Sequence, residues 1–181
     1  MFYAGQAIDA KPQLDSALKL TRQHHYVPGE YNVLAQLGLW HWYNGDNESA
    51  VELLERSLDL IRQAGDIRRE LDMLINLGIV TKDLYRFTES LAYYEQAQAI
   101  AKKIGDRSGE ASLFNNMGRV HFVMGDFVKA VMYCKQAALL ASEVNEPTVQ
   151  GLALYNQSDA YRNMGLYQPA REAAEASLTI L

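Results

Sequence analysis

Apolar residues recur along the chain at three- and four-residue steps, as in Leu54, Leu58 and Ile61 with Ser57 among them, or Leu34, Leu37 and His41. That spacing lays a stripe along one face of an α-helix. The stripes themselves repeat. At a period of 40, GDNESAVELLERSLDLIRQAGD (45–66) aligns with YRFTESLAYYEQAQAIAKKIGD (85–106), GDFVKAVMYCKQAALLASEVNE (125–146) and GLYQPAREAAEASLTIL (165–181), with no insertion or deletion. The opening GQAIDAKPQLDSALKLTRQ falls in the same frame. Each unit predicts two helices. Helix A is expected near 30–44, 68–84, 108–124 and 148–164, and helix B near 47–63, 87–103, 127–143 and 167–181.

Three columns explain how the pair packs. Ala10, Ala50, Ser90, Ala130 and Ala170 form one, Ala17, Ser57, Ala97, Ala137 and Ser177 a second, and both are small throughout. Small side chains at a crossing let helix axes approach to about 8–10 Å. Leu20, Leu60, Ile100, Leu140 and Ile180 keep a third column aliphatic. Gly45, Gly125 and Gly165 are placed to close helix A, and Gly65, Gly105 and Asn145 to close helix B, in the left-handed conformation these residues tolerate. Tyr85 breaks the glycine column. The turn there is either strained or built another way.

Phe2, Tyr3, Ala4 and Gly5 align with Trp42, Tyr43, Asn44 and Gly45, so the chain is expected to open in the last turn of a helix A. Residues 1–181 are then one repeat domain, with a partial repeat at 1–26 and repeats at 27–66, 67–106, 107–146 and 147–181. Neither end carries a polar capping helix of the kind solenoids use. The expectation is a fragment of a longer protein that self-associates through uncapped ends, offering Ala173, Ala174, Ser177 and Leu178.

Leu34, Leu37, Gly38 and His41, followed by Ala50 and Leu54, resemble the tetratricopeptide signature W-x2-L-G-x2-Y then A-x3-F. Leu74, Leu77, Gly78, Thr81, Ser90 and Tyr94 repeat it, as do Phe114, Met117, Gly118, His121, Ala130 and Cys134; Ser158 replaces the glycine in the last copy. The terminal proline is absent and the unit is about six residues longer than the usual 34. This long form is similar to the arrays of Pins-type polarity scaffolds and MalT-like regulators. HEAT and armadillo units share the period but lack the Gly-then-Ala column pair. The resemblance implies an all-α fold, a right-handed superhelical solenoid of antiparallel helix pairs with about four and a half repeats.

In such arrays the A helices line a concave face. One inner row maps to Gln36, Asn76, Asn116 and Asn156, amides that suit gripping a peptide backbone or, equally, bonding the neighbouring A helix. Two further rows read Leu39, Ile79, Arg119, Asp159 and Trp42, Lys82, Phe122, Arg162, with Tyr43 beside Trp42. The resemblance makes Gln36, Trp42, Tyr43, Asn76, Asn116, Arg119, Phe122, Asn156 and Arg162 the candidate peptide-binding residues. Arg119 and Arg162 are either selectors of acidic ligands or groups solvated or paired with Asp159 or Asp83. Pins-type arrays repeat an Asn after the glycine, where this chain has Leu39, Ile79, Arg119 and Asp159. The lysine clamp of co-chaperone domains is replaced by Asn32, Asp72, Ser112 and Leu152.

Composition narrows the classes. Seventeen basic against 22 acidic side chains give a net charge of −5, which offers no general field for nucleic acid or an anionic membrane. The single cysteine, Cys134, stands in the column of Leu54 and Tyr94 and reads as a buried thiol; a cytoplasmic setting follows. His41 and His121 share a column two repeats apart, about 20 Å at 10 Å per layer, too far to hold one metal, and His24–His25 read as a solvated pair. No phosphate-loop, zinc-protease, nucleophile-elbow or EF-hand signature occurs. The expected function is a non-enzymatic scaffold, without cofactor or metal, that binds an extended or helical peptide. The alternative is a ligand-sensing segment of a multidomain regulator, which would need an enclosed pocket around Trp42, Tyr43 and Phe122.

Overall fold

A computed structural model of the chain describes residues 4–180, with side chains from residue 10 onward. The described residues form helices α1 (Ala4–Gln23), α2 (Val27–Tyr43), α3 (Asn47–Ala64), α4 (Ile67–Asp83), α5 (Phe87–Ile104), α6 (Arg107–Val123), α7 (Phe127–Glu143), α8 (Pro147–Asn163) and α9 (Tyr167–Ile180). The A helices are α2, α4, α6 and α8, and the B helices are α3, α5, α7 and α9. Each A helix begins one to three residues earlier than the apolar stripe predicts. The largest extension is at α2, where Pro28 sits in the first turn with its backbone already set for a helix. The chain divides into two compact units, residues 1–93 and 94–181, and the division falls within α5. None of the described helices is long and apolar enough to cross a membrane.

Every turn between these helices has one construction. A left-handed residue stands at the centre of each: His25, Gly45, Gly65, Tyr85, Gly105, Gly125, Asn145 and Gly165. The following amide reaches back to the carbonyl five residues earlier, as in Asp46 N to His41 O at 2.9 Å, Arg86 N to Thr81 O at 2.9 Å and Leu166 N to Tyr161 O at 3.0 Å. This closes the ending helix in a Schellman turn. The same residue then starts the next helix. Asp46, Asp66, Asp106 and Asp126 accept from the backbone amides of Ser49, Arg69, Gly109 and Lys129 at 2.9–3.2 Å. The recurring Gly-Asp pair therefore ends one helix and caps another. At two of the positions without an aspartate, Tyr26 and Glu146, a proline opens the helix, α2 and α8 respectively.

The A and B helices of a repeat cross at backbone distance. A Cβ on Gly38 would lie 2.8 Å from Leu54 Cγ and 3.2 Å from the Ala50 carbonyl, and one on Gly118 would lie 2.8 Å from Cys134 Sγ and 3.3 Å from the Ala130 carbonyl. Serines at the crossing find backbone partners: Ser90 Oγ donates to Gly78 O at 2.6 Å, and Ser158 Oγ donates to Ala170 O at 2.7 Å. The second small column behaves alike, with Ser57 donating to Tyr31 O and Ser177 to Gly151 O at 2.7 and 2.8 Å. Cys134 is buried, and desolvation pushes its thiol up to about 12.

Two expectations about the ends are corrected. Ala4 and Gly5 lie within α1, because its helix runs unbroken from residue 4; Phe2 and Tyr3 lie outside the described residues. At the other end Ala173 and Ser177 are already buried, Ser177 through its bond to α8, and the large apolar side chains that α9 leaves exposed are Tyr167 at its start and Leu178 near its end.

The paired histidines differ. His41 Nδ1 lies 2.9 Å from Asp46 Oδ2. His121 is buried and stacked on Tyr133 with ring centroids 5.2 Å apart; its Nδ1 has no hydrogen-bond partner among the described residues, and Asp126 Oδ2 is 3.8 Å away. Burial, reinforced by Lys129 and opposed by Asp126, lowers the affinity of His121 for a proton. The unfolded chain therefore takes up that proton first as pH falls, and stability is lost below the ordinary histidine value of about 6.5. His121→Phe, which keeps a ring against Tyr133, should flatten the fall in melting temperature between pH 7 and pH 5; an unchanged slope would place the proton uptake elsewhere.

Tyr85 has φ 60° and is largely exposed, with its ring 5.9 Å from Phe87. A left-handed backbone costs a residue with a Cβ about 1–2 kcal/mol. Tyr85→Gly should raise the unfolding free energy in urea by about 0.5–1 kcal/mol, part of the relief being offset by the lost ring contact and by glycine's freedom in the unfolded chain. No gain would show that the ring contact matters more than the strain.

Candidate peptide-binding faces of the A helices

In the first unit α2 and α4 flank a cleft of about 250 Å³. Tyr31, Asn32, Ala35, Gln36 and Leu39 line it from α2, and Arg69, Asp72, Met73 and Asn76 from α4. These positions are three and four apart, so each set forms one helix face. The small Ala35 leaves the hollow, and the buried Met73 and Ile61 give it an apolar floor. Polar groups at the rim are partly committed. Arg69 Nη1 donates to Asn32 Oδ1 at 2.8 Å, and Tyr31 donates to Asp66 Oδ2 at 3.1 Å. Burial and that bond hold the Tyr31 hydroxyl above its ordinary pKa. Gln36 is exposed and Asn76 half-buried. Neither amide has a hydrogen-bond partner among the described residues.

At the C-terminal end of α2, Trp42 donates its indole N–H to Asp83 Oδ2 at 2.8 Å, and Asp83 is also paired with Lys82 at 2.9 Å. Trp42 is thus engaged within the unit. Tyr43, its ring 4.8 Å away, is exposed.

In the second unit the candidates separate. Asn156 Nδ2 donates to Asn115 Oδ1 at 2.8 Å, so this amide ties α8 to α6. Arg162 is paired with Asp159 on its own helix at 2.8 Å. Phe122 packs on Phe127, centroids 5.5 Å apart, and against a core of Ala130, Val131 and Ala160. Asn116 is half-buried and Arg119 exposed. Arg119 has no ion-pair partner among the described residues. Of the nine candidates, then, Gln36, Tyr43, Asn76, Asn116 and Arg119 present uncommitted groups. Asn32 and Arg69 belong to the cleft without having been singled out, and Asn115 turns out to be the partner of Asn156. Its signal was the adjacent Asn115–Asn116 pair, one member of which must point along the α8 side.

The tetratricopeptide repeat family matches residues 109–181, and a second tetratricopeptide repeat family matches residues 32–64 and 71–104. No protein of curated function matches the sequence. Among solved structures, BtubC (BKLC) of P. vanneervenii superposes with a TM-score of 0.79 at 18% identity, over 96% of this chain and 76% of that one. A Signal Transduction ATPase with Numerous Domains from Pyrococcus horikoshii, which carries a tetratricopeptide repeat sensor, gives 0.85 at 18% identity over 96% of this chain and 27% of its own. The Rap conjugation gene regulator of the plasmid pLS20, in complex with the Phr* peptide, gives 0.70 at 18% identity over 83% of this chain and 41% of its own. Identities this low speak to the fold: antiparallel helix pairs, all-α, of one repeating kind. With both halves of the sequence matched and all turns built alike, the chain belongs to the tetratricopeptide repeat family.

Proposed function

We propose that the chain is a non-catalytic scaffold, working in a reducing cytoplasm, that binds an extended peptide on the inner faces of its A helices. The observation that carries this reading is the cleft between α2 and α4. Its two unpartnered amides, Gln36 and Asn76, stand on opposite walls above an apolar floor. An extended backbone exposes donors and acceptors along its length, and a carboxamide serves both. At about 250 Å³ the hollow is smaller than the roughly 300–1,000 Å³ of drug-sized ligand pockets and suits a side chain of such a peptide. Trp42 and Phe122, which a small-molecule pocket would require, are engaged in packing and hydrogen bonding within their own units. The Rap regulator bound to the Phr* peptide is a protein of this fold occupied by a ligand of the proposed class.

In the second unit Asn116 and Arg119, without partners among the described residues, offer a peptide contacts of their own. Arg119 alone, since Arg162 is already paired, would favour an acidic residue in the ligand, weakly and in a salt-dependent way.

Linear peptides selected against the chain should bind Gln36→Ala/Asn76→Ala about tenfold more weakly, the loss of two hydrogen bonds of roughly 0.5–1.5 kcal/mol each. Circular dichroism should be unchanged, and Asn156→Ala should lower the melting temperature without weakening binding. Equal affinity for the double variant would remove the cleft from the binding site.

A further inference from the structure

The outer face of α7 carries an apolar stripe that packing within its unit does not explain. Val128, Met132 and Leu139 are 67%, 45% and 65% exposed. They fall within about 40° of arc at 100° per residue. Ala130, Cys134, Ala137 and Ala141 are buried on the opposite side, and the buried Val131 and Ala138 lie between the two. The stripe runs about 16 Å, three helical turns.

The repeat frame supplies a control for what this face normally holds. Forty residues per repeat place Val128, Met132 and Leu139 in the columns of Glu48, Glu52 and Asp59 on α3, of Thr88, Ala92 and Ala99 on α5, and of Gln168, Glu172 and Thr179 on α9. In the first unit Glu48 binds Arg86 with 2.6 Å between Oε2 and Nη2. The equivalents of that ion pair in the second unit are Val128 and Leu166, followed by the largely exposed Tyr167. Among α3, α5, α7 and α9, large apolar residues fill all three columns on α7 alone. Contiguous exposed apolar surface of this kind marks an interaction site.

Charge around the stripe indicates the partner. Lys135, on the stripe, sits 5.6 Å above the Tyr161 ring with no carboxylate partner among the described residues, and Lys129 flanks it, sharing Asp126 at 3.2 Å. Glu143, at the end of α7, is paired with Arg107 at 2.7 Å. A ligand with acidic flanks complements that arrangement. Three partly exposed side chains offer less than the roughly 800 Å² per partner of a stable dimer, and three turns of stripe match one helix. A chain of net charge −5 is a poor match for an anionic membrane.

We infer that the outer face of α7 is a second interaction surface, distinct from the A-helix cleft, and that it receives an amphipathic helix of a partner protein with an apolar i, i+4, i+7, i+11 stripe and acidic flanks.

The test is a displayed library of helix-scaffold peptides randomised on one face, panned against the full chain. The comparison target is Val128→Glu/Met132→Glu/Leu139→Asp, which installs the residues α3 carries at the same positions and should leave circular dichroism and melting unchanged. Selected peptides should show apolar stripes flanked by Glu or Asp. They should bind the triple variant at least tenfold more weakly and bind Gln36→Ala/Asn76→Ala as tightly as the parent, which separates this surface from the cleft. Failure to enrich helical peptides, binding that survives the triple variant, or winners with Lys or Arg flanks would overturn the proposal. So would binding of the chain to phosphatidylserine vesicles, or a dimer in sedimentation, if the triple variant abolished either.

Discussion

Helix A and helix B of a repeat approach until backbone meets side chain, and the rest of the structure follows from that contact. At Gly38 and Gly118 there is no room for a methyl group: Leu54 or Cys134 occupies the space, and the carbonyl of Ala50 or Ala130 lies behind it. A crossing this close fixes the relative height of the two helices, because small residues meet at only one register. The serines at equivalent positions show how the contact tolerates an oxygen. Ser90 and Ser158 each place a hydroxyl on the carbonyl across the crossing, one from helix B and the other from helix A, so the polar atom is satisfied whichever helix supplies it.

Register at the crossing demands regular turns, and the eight left-handed residues, spaced every 20 positions, provide them. Their regularity holds even where glycine is absent. Asn145 and His25 are of types that tolerate the conformation glycine takes elsewhere, whereas Tyr85 adopts it against its local preference, which shows tertiary packing prevailing there. The turns in turn set which residues face outward on the A helices. Gln36 and Asn76 reach the cleft because α2 and α4 start at equivalent points after equivalent turns.

Columns of small residues and glycines made the helix pairs and their turns readable from sequence, since each column reports one backbone distance repeated several times. The individual fate of polar side chains was less legible. Asn116 and Asn156 share a column, yet Asn156 is consumed by Asn115, a residue that has Ala35, Ile75 and Tyr155 as its equivalents. A row of identical residues thus met different neighbours. The same holds for Trp42, whose indole is taken by Asp83, and for Arg162, taken by Asp159 one turn away. Periodicity specifies the backbone frame; which amide is left without a partner depends on the single residue opposite it, and that residue varies from repeat to repeat. The burial of His121 beside Tyr133, against the more accessible His41 in the same column, is a further instance.

The central claim, that the A–B crossing is a backbone contact which other features depend on, has a direct test in the sign of one substitution. Within a helix, Gly→Ala ordinarily stabilises by about 1 kcal/mol. At residue 118 the added methyl would sit 2.8 Å from Cys134 Sγ and 3.3 Å from the Ala130 carbonyl, so the account predicts the reverse. Equilibrium urea unfolding of Gly118→Ala should show a loss of about 1 kcal/mol or more, overpacking outweighing helix propensity. A gain in stability would contradict the account.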